Sequence, residues 1–332
     1  LISKLGETPH DELTEVMEGF ILDLTDSEVA ALRADSNVLQ VVADQPMSLL
    51  DTQSPTPSWG LDRIDQTNTT YDNAYNYPAS AGSGVRVYIV DTGVVSSDPD
   101  FAGRMAPGFD AFGQNLSGTD CNGHGTHVAG TVAGTRYGVA KKATIVPVRV
   151  LGCTGSGSWS GFISAMDWII SNHPAGTPGV MNASLGGSKY QIINDSVQKL
   201  FAAGITPVVA AGNESTDACS RTPASTPNAI TVGASTIADA RASFSNFGDC
   251  VDVFAPGSNI VSNSHLDSST PRTLSGTSMA SPHVAGLAAL YLGANRAASP
   301  SDVASAIQAG AQAGIVVDAK SASGNYLINT RF

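Results

Sequence analysis

Val85-Arg86-Val87-Tyr88-Ile89-Val90-Asp91-Thr92-Gly93 is a short, nearly continuous apolar run that stops at a carboxylate and a glycine. A run of this length, rich in β-branched residues, reads as a strand buried on both faces. Similar runs occur at Ala143–Val150, Val180–Ala183 and Ile205–Ala211, and helix candidates separate or follow them: His124–Thr135, Ser158–Ser171, Ile192–Ala203, Ser278–Leu292 and Ser301–Ala309. Doubly covered strands alternating with helices predict an α/β protein, a doubly wound parallel sheet with helices on both faces. Ligands of such sheets bind beyond the carboxyl ends of the strands. Asp91 stands at such an end, where a buried carboxylate is costly unless it is paired. On its own it also suits the start of a turn.

The chain before this sheet reads differently. Of the formal net charge of -12, residues 1–50 carry most, since Lys4 and Arg33 face ten acids there. Gly19–Leu24 and Val38–Val42 are strand candidates, and Thr25-Asp26-Ser27-Glu28 has capping-box spacing for a helix through Leu32. One helix and two strands bury little alone, so this piece reads as part of a small α+β domain that begins before residue 1. Residues 44–58, with three prolines, read as a linker. An acidic head and a near-neutral body argue against nucleic acid as a partner. No run approaches the eighteen or so apolar residues of a membrane span. The four cysteines, Cys121, Cys153, Cys219 and Cys250, form no C-x-x-C pair, which favours two bridges in an oxidising compartment over a zinc site.

The chemistry lies in three places. In Leu274–Gly286, L-S-G-T-S-M-A-S-P-H-V-A-G, a small-residue turn delivers Ser278 to a helix start, among unpaired backbone N–H groups at the positive end of the dipole. A hydroxyl there either caps the helix or serves as a nucleophile whose attack creates an oxyanion. His124 and His127 stand at the start of another helix. Histidines three apart can hold a metal, but no acid or cysteine falls one turn on, so one as a general base and the other as packing is the better account. With Asp91, these supply the parts of an Asp-His-Ser triad: a carboxylate to hold an imidazole, an imidazole to take a proton, and a hydroxyl to attack a carbonyl. The order Asp, His, Ser along the chain is also that of the subtilisins. Ala280 in place of a second glycine rules against the G-x-S-x-G elbow of α/β-hydrolases.

D-T-G at 91–93, H-G-T-H-V-A-G at 124–130 and G-T-S-M-A-S-P-H-V-A-G at 276–286 together resemble the subtilisin-like serine proteases of the proteinase K group. Within that group the two-disulfide branch typified by aqualysin is the most similar. W-G-L-D-R-I-D-Q at 59–66 and S-F-S-N-F-G at 243–248 extend the likeness. The resemblance implies a triad of Asp91, His124 and Ser278, with His127 and His283 structural. It implies an oxyanion donor at Asn213, in A-A-G-N at 210–213, and disulfides Cys121–Cys153 and Cys219–Cys250. Extended substrate is expected between edge segments Gly155-Ser156-Gly157 and Ser184-Leu185-Gly186. Trp159 should border an outer subsite, and an uncharged primary pocket should lie between 184–186 and Ala210-Ala211-Gly212.

Structural Ca²⁺ is implied at Asp62, Asp65, Gln66 and Asp72, and again at Asp252 with the carbonyls of Pro227 and Ala229; hard oxygen ligands suit that ion. No catalytic cofactor is expected. Asp98 stands where relatives often carry His, and Gly152 where they often carry Asp. Asn68, Asn115, Asn182, Asn194 and Asn213 begin glycosylation sequons. Residues 1–50 resemble the later part of an inhibitory prodomain, incomplete at its N-terminus, and 51–332 the catalytic domain. Self-cleavage is expected at Leu50/Asp51, with Leu50 in the primary pocket and Met47 beside Trp159. The expected protein is a secreted, self-processing endopeptidase preferring large apolar or aromatic residues. Its partners are polypeptide substrates and its own prodomain, with no nucleic acid and no membrane, and it is expected to be a monomer. The rival reading is a catalytically silent binding or inhibitory protein that retains the fold.

Overall fold

The structure, a computed structural model, describes residues 7–14, 17–43, 50–320 and 323–331. It divides into two compact units, Leu1–Met47 and Ser48–Phe332.

In the smaller unit, strand β1 (Asp11–Leu13) pairs antiparallel with β2 (Gly19–Ile21), and helix α1 (Asp26–Ala34) follows. The capping box forms: Glu28 N–H donates to Thr25 Oγ1, and Thr25 N–H donates to the Glu28 carboxylate at 2.7 Å. Residues 38–42 form no strand, contrary to the sequence expectation. Leu39 and Val42 are exposed, and Leu32 is the buried hydrophobic residue among those described in this unit, so a further strand has no apolar face to lie against.

The larger unit is built on a nine-stranded sheet. Ahead of it, β3 (Leu50–Gln53) pairs antiparallel with β4 (Tyr75–Pro78), and α2 (Trp59–Ile64) lies between them in sequence. The sheet strands are β5 (Arg86–Asp91), β6 (Phe109–Asp110), β7 (Thr144–Arg149), β8 (Gly179–Ala183), β10 (Ile205–Ala210), β12 (Ile230–Ser235), β13 (Val253–Pro256), β16 (Gln312–Ala313) and β17 (Tyr326–Leu327). Short pairs are added by β9 (Gly187–Ser188) with β11 (Arg221–Thr222) and by β14 (Ile260–Ser262) with β15 (Arg272–Leu274). The helices are α3 (His124–Ala133), α4 (Trp159–Asn172), α5 (Gln191–Ala202), α6 (Thr277–Ala294) and α7 (Pro300–Gly310).

The strand order is β16-β17-β13-β12-β10-β8-β5-β7-β6, parallel except at the β16–β17 edge. Alternation along β5 explains the two layers. Val87 and Ile89 join the core formed with α3 and α6, whereas Tyr88 and Val90 join the core formed with α4 and α5. Each fully buried aliphatic side chain of this kind contributes about 1.5–3 kcal/mol. Because β5 is flanked by β7 on one side and β8 on the other, the strand order reverses at β5. The crevice beyond the ends of β5 and β8 is therefore the switch point where a site belongs. Asp98, at the position where relatives often have His, is buried, caps a short helical turn through Asp100 N–H at 2.9 Å and accepts from Asn263 Nδ2 at 3.1 Å. Among the described residues no helix is long and apolar enough to cross a membrane.

Candidate active site

Asp91 ends β5 and His124 opens α3, and their side chains meet: His124 Nδ1 lies 2.8 and 2.9 Å from the two carboxylate oxygens. Asp91 is wholly buried, while the imidazole remains 26% exposed, enough to face a substrate. The approach is set by backbone. A Cβ on Gly125 would lie 2.1 Å from the Gly93 carbonyl and 3.1 Å from Asp91 Cβ, so a side chain there would push the helix off the strand end.

Asp120, which the sequence reading did not single out, ties the two together. Its Oδ1 accepts from Thr92 Oγ1 and from the N–H groups of Asn122 and Gly123, and its Oδ2 accepts from both donors of Thr126. Thr92 Oγ1 in turn accepts from Gly125 N–H at 2.9 Å. Burial raises the Asp120 pKa, but these hydrogen bonds outweigh it and leave the carboxyl below its usual range. The legible signal was an acid four residues before a helix-start histidine.

Burial pulls the His124 pKa down, and the charge and hydrogen bond of Asp91, with the charge of Asp120, more than offset it. The net result is a raised pKa, opposed by the nearby Arg272. His127 and His283 are different. Burial pushes both down to about 4, so they are neutral. His127 Nε2 donates to the carbonyls of Ile260 and Arg272, and His283 Nδ1 donates to that of Met279.

Ser278 is the second residue of α6. Pro282, inside that helix, has no N–H for the Ser278 carbonyl four residues back. That carbonyl accepts instead from Ser184 Oγ at 3.0 Å, and Ser278 Oγ donates to the Ser184 carbonyl at 3.1 Å. Helix start and cleft edge are thus joined reciprocally, with Asn182 Nδ2 donating to Ser184 Oγ behind them. Asn213 turns its Oδ1 to Thr277, accepting from N–H at 2.8 Å and from Oγ1 at 3.0 Å. Nδ2 is the side chain's donor, and it lies near the helix start, 3.7 Å from where a Cβ on Gly276 would be.

A groove of about 520 Å³ opens beside His124. Gly155, Ser156, Gly157, Trp159, Ser184, Leu185 and Gly186 line it, and its walls carry no Asp, Glu, Lys or Arg. Ala210, Ala211 and Gly212 are not among its lining residues; the two alanines are buried. Leu50 is 64% exposed and pairs with Pro78 in β3, apart from the groove lining, while Met47 lies outside the described residues. Cys121 is bonded to Cys153 and Cys219 to Cys250. Asn122 Nδ2 donates to the Cys153 carbonyl, so the first bridge braces the turn before His124. Of the sequons, Asn182 and Asn194 are buried and hydrogen-bonded.

Asp62 Oδ2 accepts from Asn73 N–H at 2.8 Å, and Asp65 Oδ2 from both donors of Asn76. Burial raises both carboxyls, their backbone hydrogen bonds lower them, and the charge of Asp72 raises both again. Asp65 Oδ1 is buried, with no hydrogen-bond partner among the described residues. The Gln66 carbonyl accepts from Arg63 and Asn329. Asp252 Oδ2 accepts from Thr231 N–H at 2.7 Å, next to the segment holding Pro227 and Ala229. Among the described residues no group of three or more acidic, histidine or cysteine side chains is placed to hold a metal ion.

A buried Asp–His pair at the carboxyl edge of a doubly wound sheet, with a helix-start serine bonded to the cleft residue Ser184, fits a serine peptidase of the subtilisin class. The profile of the subtilase family matches residues 82–326. The extracellular serine proteinase of Thermus sp. (strain Rt41A) is 49% identical over 319 residues, which cover 96% of this chain and 77% of that protein. Alkaline serine exoprotease A of Vibrio alginolyticus is 46% identical over 310 residues, covering 92% of this chain and 57% of that one. The crystal structure of a cold adapted subtilisin-like serine proteinase superposes with a TM-score of 0.80 at 45% identity, covering 84% of this chain and all of the other. The chain belongs to the subtilase family and is a subtilisin-like serine proteinase, a hydrolase of peptide bonds.

Proposed function

We propose that the chain is a secreted, self-processing serine endopeptidase in which Asp91, His124 and Ser278 form the triad. The observation that carries this is the double contact of the Asp91 carboxylate with His124 Nδ1, which leaves the second ring nitrogen as the acceptor facing the cleft. Ser278 Oγ turns from the Ser184 carbonyl toward that nitrogen, gives it the hydroxyl proton and attacks the substrate carbonyl carbon. The oxygen that becomes negative is held by Ser278 N–H and Asn213 Nδ2, a contribution of about 3–4 kcal/mol for the side-chain donor. The carbon–nitrogen bond then breaks as the imidazolium protonates the departing amine. Water, deprotonated by the same imidazole, cleaves the acyl-enzyme.

Substrate lies extended between 155–157 and 184–186 as an added strand. The uncharged groove lining supports a preference for large apolar or aromatic residues before the scissile bond. Extracellular action is supported by the Thermus relative, whose name states it, and by two disulfides. Residues 1–50 act as prodomain and 51–332 as catalytic domain, with cleavage at the exposed Leu50 before Asp51.

Ca²⁺ is proposed at Asp62, Asp65, Gln66 and Asp72. The raised carboxyls and the partnerless Asp65 oxygen fit an oxygen-bound cation. Its role is structural, as is that of a second ion at Asp252. A fluorophosphonate probe should label Ser278 in the matured chain and fail on Ser278→Ala; an unlabelled matured enzyme would refute the reading. N-terminal sequencing of the active species should begin at Asp51. Chelation should lower the melting temperature of inactive Ser278→Ala, and Asp65→Asn should blunt that response.

A further inference from the structure

Asn246 is not a groove-lining residue, yet among the described residues every hydrogen bond of its side chain falls on the arc 211–216 that carries Asn213. Asn246 Nδ2 donates to the Ala211 carbonyl at 2.9 Å and to the Glu214 carboxylate at 2.8 Å. Its Oδ1 accepts from Glu214 N–H at 3.1 Å and Thr216 N–H at 3.0 Å, and its own N–H donates to the Gly212 carbonyl. The side chain is wholly buried, whereas residues 213–216 above it are exposed. An exposed loop with little packing of its own takes its shape from the peg beneath it. Gly212 makes the approach possible: its φ is +103°, and a Cβ there would lie 2.3 Å from Asn246 Nδ2.

Resting on the oxyanion-hole reading above, we propose that Asn246 is a positioning residue that holds the loop so that the Asn213 amide meets the developing oxyanion. Two clamps then fix Asn213. Thr277 orients its side chain from the helix side by taking Oδ1, and Asn246 fixes its backbone from below. Asparagine is the residue type that fits. One oxygen with two lone pairs serves two N–H groups, and one NH₂ serves two acceptors. Aspartate at 246 would turn both donor contacts into repulsions, against a carbonyl and against the Glu214 carboxylate.

A misplaced catalytic donor lowers turnover without lowering ground-state binding, whereas general loosening does not care whether Asn213 is present. The test is therefore a cycle of Asn246→Ala, Asn213→Ala and the double variant, assayed on a peptide substrate. Active enzyme is counted by titration, and processing is supplied in trans where self-cleavage is slow. Asn246→Ala should lower kcat roughly 10- to 100-fold with KM little changed. In the Asn213→Ala background the same substitution should have almost no effect on kcat. Equal factors in both backgrounds would overturn the positioning role while leaving the oxyanion hole intact. An Asn213→Ala enzyme with unaltered kcat would instead overturn the oxyanion-hole reading itself.

Since removing a buried peg can prevent folding outright, Glu214→Leu is run beside it. Glu214 is an exposed partner, its side chain 46% accessible, and its loss removes one acceptor from Asn246 Nδ2. It should give a smaller fall in kcat that also vanishes in the Asn213→Ala background. No fall in kcat, or one that persists without Asn213, would count against the proposal.

Discussion

On the proposed mechanism His124 acts as a base only when neutral, and three charged neighbours set the pH at which that happens. Asp91 and Asp120 raise its pKa against the pull of burial, and Arg272 lowers it. The guanidinium is held there by a 3.2 Å bond to the Asn122 carbonyl. Because the folded pKa lies above the ordinary histidine value, kcat/KM should rise with pH through a limb above about 6.5. Arg272→Gln removes the opposing charge, so the limb should move to higher pH; a limb unmoved or moved down would contradict the assignment. Asp91→Asn should move it the other way, with kcat reduced by about 10⁴, the loss expected when the carboxylate of such a triad becomes an amide. The proposed triad could be picked out because its residues stand in compact motifs, and of these the Asp91–His124 contact is seen in the structure. Asp120 was not singled out, and Thr277 and Asn246 entered only as members of a turn and a motif without a role, since what they do depends on whom they bond. Asn246 reaches back 30 to 35 residues to the loop it holds, a pairing no local spacing records.

At the scale of elements, α6 was the easiest helix to foresee and the most constrained by packing. It is buried on nearly every side, and its Gly286 faces Val139, where an added Cβ would lie 2.5 Å from Val139 Cβ and 3.2 Å from the Val132 carbonyl. Gly286→Ala gains about 1 kcal/mol in helix propensity, but overpacking costs about 1–3 kcal/mol. The clash should prevail. Denaturant titration of the inactive Ser278→Ala protein should show a net loss, and in a double-mutant cycle with Val139→Gly, which removes the facing Cβ, the loss caused by Gly286→Ala should be smaller; independent, additive losses would mean that the clash is not the cause. The central strands were readable as short apolar runs because both faces are covered. β12 and β13 were missed because Ile230–Ser235 mixes small and polar residues and Val253–Pro256 is four residues ending in proline. The expected strand at 38–42 failed for the opposite reason: apolar residues were present but no face existed to bury them.

Over the whole molecule, pH stability should follow the two neutral histidines rather than the catalytic one. His127 and His283 are buried with pKa about 4, against about 6.5 unfolded. Between those values the unfolded chain binds more protons, so stability rises with pH and is lost as pH falls from about 6.5 toward 4. Each histidine accounts for roughly 3 kcal/mol of that loss. Groups with raised pKa act in the opposite sense: Asp252, pushed by burial up to about 6, and His124, Asp62, Asp65 and Asp100 take up protons more readily when folded. They soften the acid limb without removing it. His283 touches the molecule from two elements, since its Nδ1 serves Met279 of its own helix and its Nε2 abuts Gly60 of α2. In the Ser278→Ala background, denaturant titrations from pH 7 to pH 4 should show His283→Met flattening the dependence by up to about 1.4 kcal/mol per pH unit. An unchanged slope would mean that His283 binds protons equally in the folded and unfolded chain, and that its burial does not set the acid limb.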